Sequence, residues 1–135
     1  MEKIKVLYLI DALEPGGAEW NAVNMANNLP RQYFQVYFCT TRYGGPLVKH
    51  LASDIYYINL NRHHILDIYA LQMLKSYIKQ YNIHLVHAHT FALFVAAFIK
   101  FFFSNIKLIW HVQSDEFIIK KKFLLLFLPL KFNIN

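Results

Sequence analysis

"LIDALEPGGAEWNAVNMANNL", residues 9–29, sets two of the chain's four glycines side by side between an apolar run and an apolar stripe at helical spacing. The run from Ile4 to Ile10 reads as a strand, and Ala18, Ala22, Met25, Ala26 and Leu29 recur at intervals of three and four, so the stretch reads as strand, glycine loop, helix. The glycine pair has two explanations. Without a Cβ, the backbone at Gly16 and Gly17 lets a phosphate or sugar hydroxyl come close to amides at the positive end of a helix. The other explanation is a tight turn that needs glycine for its own conformation.

Working outward, the same alternation continues. "QVYFCT" (35–40), "IYYINL" (55–60), "IHLVHA" (83–88) and "IKLIWH" (106–111) are short, β-branched or aromatic runs bounded by polar or turn residues, and read as four more strands. Helical spacing returns from Leu66 through Ala70, Leu74 and Ile78 to Tyr81, and again from Ala92 to Phe103. A shorter helix is expected over 46–52, started by Pro46, and Pro30 closes the first helix. Strands alternating with helices need right-handed crossovers, which build a parallel sheet covered on both faces. The fold expected is therefore α/β, a doubly wound, Rossmann-like parallel sheet in the order 3-2-1-4-5, in one domain over residues 1–135. Its switch point lies between strands 1 and 4, beside Gly16 and Gly17.

Composition bounds what such a domain can do. The chain is 56% hydrophobic, yet Lys100 interrupts "FALFVAAFIKFFF" and "FLLLFLPL" is eight residues long, so neither reads as a membrane span. Asp11 and Glu14 follow the first apolar run at once, which argues against a signal peptide and for a cytoplasmic chain. The single cysteine, Cys39, fits that compartment and reads as core packing. Residues 1–60 carry five basic and five acidic side chains, whereas residues 61–135 carry nine and three, so the net charge of +6 resides in the second half. Its lysines are scattered among apolar residues with no nucleic-acid motif, so a membrane surface or a phosphorylated substrate suits it better than nucleic acid.

Phosphate and dinucleotide motifs are missing. There is no GxxxxGK[ST] and no GxGxxG, and strand 2 ends in Thr40, Thr41 and Arg42 where an acid would hold a ribose, so nicotinamide cofactors are disfavoured. Glu19 is spaced to reach back to the loop backbone as in a capping box. The histidines are the other chemically apt residues. His87 and His89 share a strand face, with His89 at the carboxyl rim, and His111 ends the neighbouring strand. An imidazole there either donates and accepts hydrogen bonds to a substrate or simply closes a strand end. His87, His89 and His111 together would also suit zinc, but without a cysteine pair or HExxH, and with only Asp11 or Asp115 near as a carboxylate base, no metal is expected. Asp115 and Glu116 read either as sugar-hydroxyl ligands or as the acidic first turn of a helix. His50, His63, His64 and His84 read as surface or loop residues.

The run "KIKVLYLIDALEPGGAEWNAVNMANNL" resembles the opening of the family 4 glycosyltransferases, a strand, a Gly-Gly-Ala-Glu loop and a helix. "NIHLVHAHT" and "IKLIWHVQSDE" resemble that family's fourth and fifth strands, each of which ends in a histidine. The resemblance spans nearly the whole chain. It implies the two-domain GT-B architecture, with this domain holding the acceptor and a C-terminal domain binding the nucleotide-sugar donor through residues that include a glutamate pair. It also implies that His111 contacts the transferred sugar in the transition state and that His89 lies near the acceptor, with Gly16, Gly17 and Asp115 as further substrate-binding positions. No cofactor beyond the donor substrate is implied.

The expectation is therefore the acceptor-binding half of a retaining, nucleotide-sugar-dependent glycosyltransferase of surface polysaccharide or glycolipid synthesis. Because the sequence stops at Asn135, the donor-binding half is expected to be absent and the chain inactive without it. Partners expected are a sugar or lipid-linked acceptor and a separate donor-binding domain. Peripheral contact with the inner face of the membrane is expected through the lysine and leucine tail, "EFIIKKKFLLLFLPLKFNIN" (116–135). The alternative is a non-catalytic module that binds a sugar or nucleotide, or docks a separate donor-binding chain. A truncated product without function is a third reading.

Overall fold

The apolar run at the start of the chain forms strand β1 (Ile4–Ala12), which passes through Gly16 into helix α1 (Gly17–Asn28). There follow β2 (Phe34–Tyr43), a 3₁₀ turn (Pro46–His50), β3 (Tyr56–Asn59), α2 (Ile68–Tyr81), β4 (Leu85–His89), α3 (Leu93–Phe102) and β5 (Lys107–His111). The description rests on a computed structural model and covers residues 1–89 and 92–111. The five strands form one sheet in the order β3-β2-β1-β4-β5, with every pairing parallel. This is the expected α/β, Rossmann-like arrangement.

A strand in the middle of such a sheet has no solvent face, and β1 shows it: Val6 through Ile10 are all at most 2% exposed. Alternate residues enter different cores. Leu7 and Leu9, with Tyr37, Cys39, Val86 and Ala88, pack under α2 and α3. Val6, Tyr8 and Ile10, with Val36 and Phe38, pack under α1 and the 3₁₀ turn. Cys39 is fully buried, and burial pushes its thiol far above the usual range, so it acts as the small apolar residue expected. Among the described residues no helix is long and apolar enough to cross a membrane.

Element ends follow local chemistry. Helix α2 starts two residues later than the apolar spacing predicts, because Asp67 caps it by accepting from the Ala70 amide at 3.1 Å. Leu66 is left outside the helix and 80% exposed. The segment expected as a helix over 46–52 is a 3₁₀ turn. β4 begins at Leu85, later than the expected Ile83, because Asn82 ends α2 at φ +51° and the Ile83 amide donates back to the Ile78 carbonyl. At its other end β4 runs through His89.

The two adjacent glycines have different surroundings. Neither residue of the pair is left-handed; Gly45 is the glycine with positive φ, at +108°. Gly16 is extended, and the place its Cβ would take is filled by the Glu19 carboxylate, folded back over the loop. The N-cap makes no side-chain hydrogen bond, so Glu19 takes a capping-box position while Gly16 provides the room. At Gly17 an added Cβ would meet nothing within 4 Å. The turn therefore does not require Gly17, and the space beside it is open. Gly45 is the sterically constrained position, since a Cβ there would lie 2.5 Å from the Leu13 carbonyl oxygen.

Gly45→Ala is expected to lower stability by about 1–3 kcal/mol through left-handed strain and the backbone clash. Gly17→Ala, at a helical position with room for a methyl, is expected to leave stability unchanged or raise it by about 0.4–1 kcal/mol. Urea unfolding followed by far-UV circular dichroism checks both, and equal losses in the two variants would refute the distinction.

Candidate functional site

The alternation that fills the two cores also determines where the β4 histidines go. Val86 and Ala88 belong to the core under α2 and α3, so His87 and His89 turn to the other face, the face of Tyr8. There a doubly covered sheet calls for apolar side chains, yet His87 is only 6% and His89 only 1% exposed. The parallel register sets Tyr8 beside His87, and His89 beside His111 on β5. The rings form one group, with centroids 4.5 Å apart for His87 and His89, 5.1 Å for His89 and His111, and 5.7 Å for His87 and His111. Tyr8 flanks it, with its ring centroid 5.1 Å from His87 and 5.9 Å from His89. His111 is half-buried and forms the more open side of the group.

Among the described residues Nε2 of His87 and both ring nitrogens of His89 are buried without a hydrogen bond. Buried polar groups are nearly always paired, and an unmade bond costs roughly 1–3 kcal/mol. Such atoms have hydrogen-bonding capacity that the described residues leave unused. Burial, reinforced by the neighbouring His111, holds the His87 pKa down to about 4. Burial, with His87 and His111 beside it, holds His89 down to about 3. Both rings are uncharged near neutral pH, able to exchange hydrogen bonds with hydroxyls without offering positive charge to an anion.

Other sequence candidates fall around this group. The loop before Gly16 and Gly17 leaves the carboxyl end of β1, next to β4, so the glycine pair shares the carboxyl rim with His89 and His111. Asp11 is engaged elsewhere. It accepts from the Thr41 hydroxyl at 2.5 Å and from Arg62 Nη2 at 3.4 Å, on the β2 side. It is therefore not the free carboxylate base weighed in the sequence. Asp115, Glu116 and the basic, apolar tail lie outside the described residues. His84 sits at the opposite end of β4, its Nδ1 accepting from the Lys5 amide at 3.0 Å, and His50 packs on Trp20, as expected of structural residues. A depression of about 340 Å³ at the amino edge of the sheet is lined by Lys3, Arg31, Gln35 and Asp54 and contains the Arg31–Asp54 ion pair at 2.6 Å, away from the histidines.

One residue near the rim escapes the sequence reading. The HxH period puts His87 on the face of His89 and in the zinc set that the sequence offers, but not among the sugar-contacting residues, and it does not show that both rings are buried. Arg62, with a side chain only 9% exposed, reaches from beyond β3 to Asp11 and the His64 carbonyl. No motif marks it, because its partners lie 51, 21 and 2 residues away in the chain.

The depressed histidines give stability a pH dependence of definite sign. Folded His87 and His89 stay neutral below the ordinary value of 6.5, whereas the unfolded chain protonates them, so stability falls as pH drops from about 6.5 towards about 4. Each contributes a slope of up to about 1.4 kcal/mol per pH unit. Urea midpoints measured between pH 8 and pH 5 are expected to drop below pH 6.5, and His87→Gln to reduce the slope. A midpoint flat through that window would show that the histidines titrate normally.

The family model described as Glycosyltransferase Family 4 matches residues 15–133. No curated protein matches the chain. The matched span starts at the glycine loop and contains both β4 histidines and His111, most of the chain, and the structure has the doubly wound sheet that the alternation of strands and helices predicts. The chain belongs to glycosyltransferase family 4.

Proposed function

We propose that this domain is the acceptor-binding half of a retaining glycosyltransferase that uses a nucleotide-sugar donor. One observation supports this most: uncharged imidazoles with unpaired ring nitrogens occupy core positions at the carboxyl rim, next to the switch point. A neutral, hydrogen-bonding wall suits the hydroxyls of a sugar. It is poorly suited to the charged diphosphate of a donor, which calls for cations or helix amides.

The roles follow from position. His111, on the open side, contacts the transferred sugar as the bond forms, and His89 orients the acceptor. Gly16 and Gly17 let acceptor and backbone approach closely, and Asp115 adds a sugar-hydroxyl contact. The donor is itself a substrate, so the reaction takes no cofactor. Transfer depends on a donor-binding domain that closes over this rim, on the same polypeptide or another, because its groups position the donor phosphates and the reacting carbon. The acceptor is a sugar or a lipid-linked sugar of a surface polysaccharide or glycolipid. The basic tail then holds the cytoplasmic protein against the inner face of the membrane through charge and apolar contact.

Saturation-transfer NMR on the 135-residue chain, with short oligosaccharides, lipid-linked sugars and nucleotide-sugars as separate ligands, tests the assignment. Saccharide acceptors are expected to bind and to shift the Gly17 amide and the His111 ring, and nucleotide-sugars to bind at least tenfold more weakly. Tight nucleotide-sugar binding at this rim would overturn the half assignment and favour a nucleotide-binding module. With a donor-binding domain supplied, His111→Ala is expected to lower turnover by about 10² to 10⁴, the range for a positioned hydrogen-bonding or acid–base group. Gly17→Val should weaken acceptor binding while the fold survives. Turnover unchanged in His111→Ala would remove that histidine from the mechanism.

A further inference from the structure

We propose that His87, His89 and His111 form a three-imidazole site for a borderline divalent cation such as Zn²⁺, Co²⁺ or Ni²⁺, with one coordination position open towards the carboxyl rim. The inference goes beyond sugar transfer and does not rest on it. Each residue offers a ring nitrogen, and these atoms all lie within 4.8 Å of one another. They come from two paired strands in fixed register, so the spacing of the supporting backbone is set by the sheet rather than by a loop.

The second observation is chemical. His87 Nε2 and both nitrogens of His89 are buried without hydrogen-bond partners among the described residues. Lone pairs hidden from water and from protein donors are what a cation replaces best. The rings now stack, with interplanar angles of 18° to 31°, so their in-plane lone pairs do not yet converge. Metal–nitrogen bonds of about 2.1 Å in a tetrahedron hold nitrogens about 3.4 Å apart. Binding a cation therefore requires the rings to turn about their side-chain torsions.

The donor set selects the class of metal. Three imidazole nitrogens, with no carboxylate beside them among the described residues, suit zinc, cobalt and nickel better than magnesium and calcium, which require oxygen ligands. Asp11 does not join them, being held by Thr41 and Arg62. The three ligands found among the described residues leave a position for water or a ligand hydroxyl, in contrast to the closed four-ligand structural sites.

The test is titration of the full 135-residue chain, freed of metal with a chelator, with cobalt(II), zinc and magnesium salts and no sugar present. Visible absorption of cobalt, calorimetry and imidazole NMR are the readouts. One cobalt or zinc ion is expected per chain, with all three rings shifting together and no displacement by a hundredfold excess of magnesium. His111→Ala, at the half-buried position, should weaken binding at least tenfold, and His89→Gln should abolish it, with circular dichroism confirming that each is folded. His84→Ala, at the far end of β4, should bind as the parent does. Absence of binding by the parent chain, equal binding by His111→Ala, or loss of binding in His63→Ala instead would overturn the site. Acceptor binding measured in the presence of chelator separates this outcome from the glycosyltransferase assignment, since either can fail alone.

Discussion

Everything in this domain is arranged around a strand that has no side facing water. β1 is buried on both faces, and its parallel partners β2 and β4 must send alternate residues into two separate cores. In β2 that demand is met by Val36 and Phe38 on one face and Tyr37 and Cys39 on the other. β4 meets it on only one face. Val86 and Ala88 complete the core beneath α2 and α3, while His87 and His89 occupy positions where apolar side chains would be more stable. A local conflict of this kind, confined to one end of one strand beside a switch point, is how a binding requirement shows itself against a folding requirement.

The histidines tolerate their position by giving up charge. Two imidazolium ions a few ångströms apart in a poorly hydrated place would repel each other and lose their hydration, so His87 and His89 stay neutral near pH 7. Neutrality narrows the chemistry available to them. A neutral ring accepts at one nitrogen and donates at the other, which recognises hydroxyls and coordinates soft or borderline cations, and does little for phosphate. Tyr8 contributes an apolar ring face to one side of the group, and His111 leaves the other side open.

Much of the fold was readable from the sequence because the signals are local and redundant. Five short apolar runs alternate with three helical stripes, and a rule of handedness turns that alternation into a strand order. Element ends were less legible, since Asp67 and Asn82 fix the limits of α2 through backbone bonds that periodicity does not register. The pattern places the glycine pair between strand and helix, but its two members have different reasons to be there. Gly16 makes room for Glu19, a side-chain contact that no pattern of residue types displays, whereas Gly17 is left with open space. His89 and His111 were recognised as strand-end residues, while the burial of His87 and the reach of Arg62 to Asp11 depend on three-dimensional neighbours.

The distribution of sequence separations across the sheet bears on how the chain assembles. β1 meets β2 about 30 residues downstream, whereas its pairing with β4 must close a loop of about 80 residues, as the Lys5–His84 bond does. Loop closure costs entropy before contacts repay it, so β1, α1 and β2 are placed to organise first and β4 and β5 to join afterwards. On a ribosome this order coincides with the order of synthesis, and the early half emerges with the inner edge of β1 still unpaired. The histidine rim thus comes into being only with the last long-range pairing, and a partly folded chain has a hydrophobic sheet but no site.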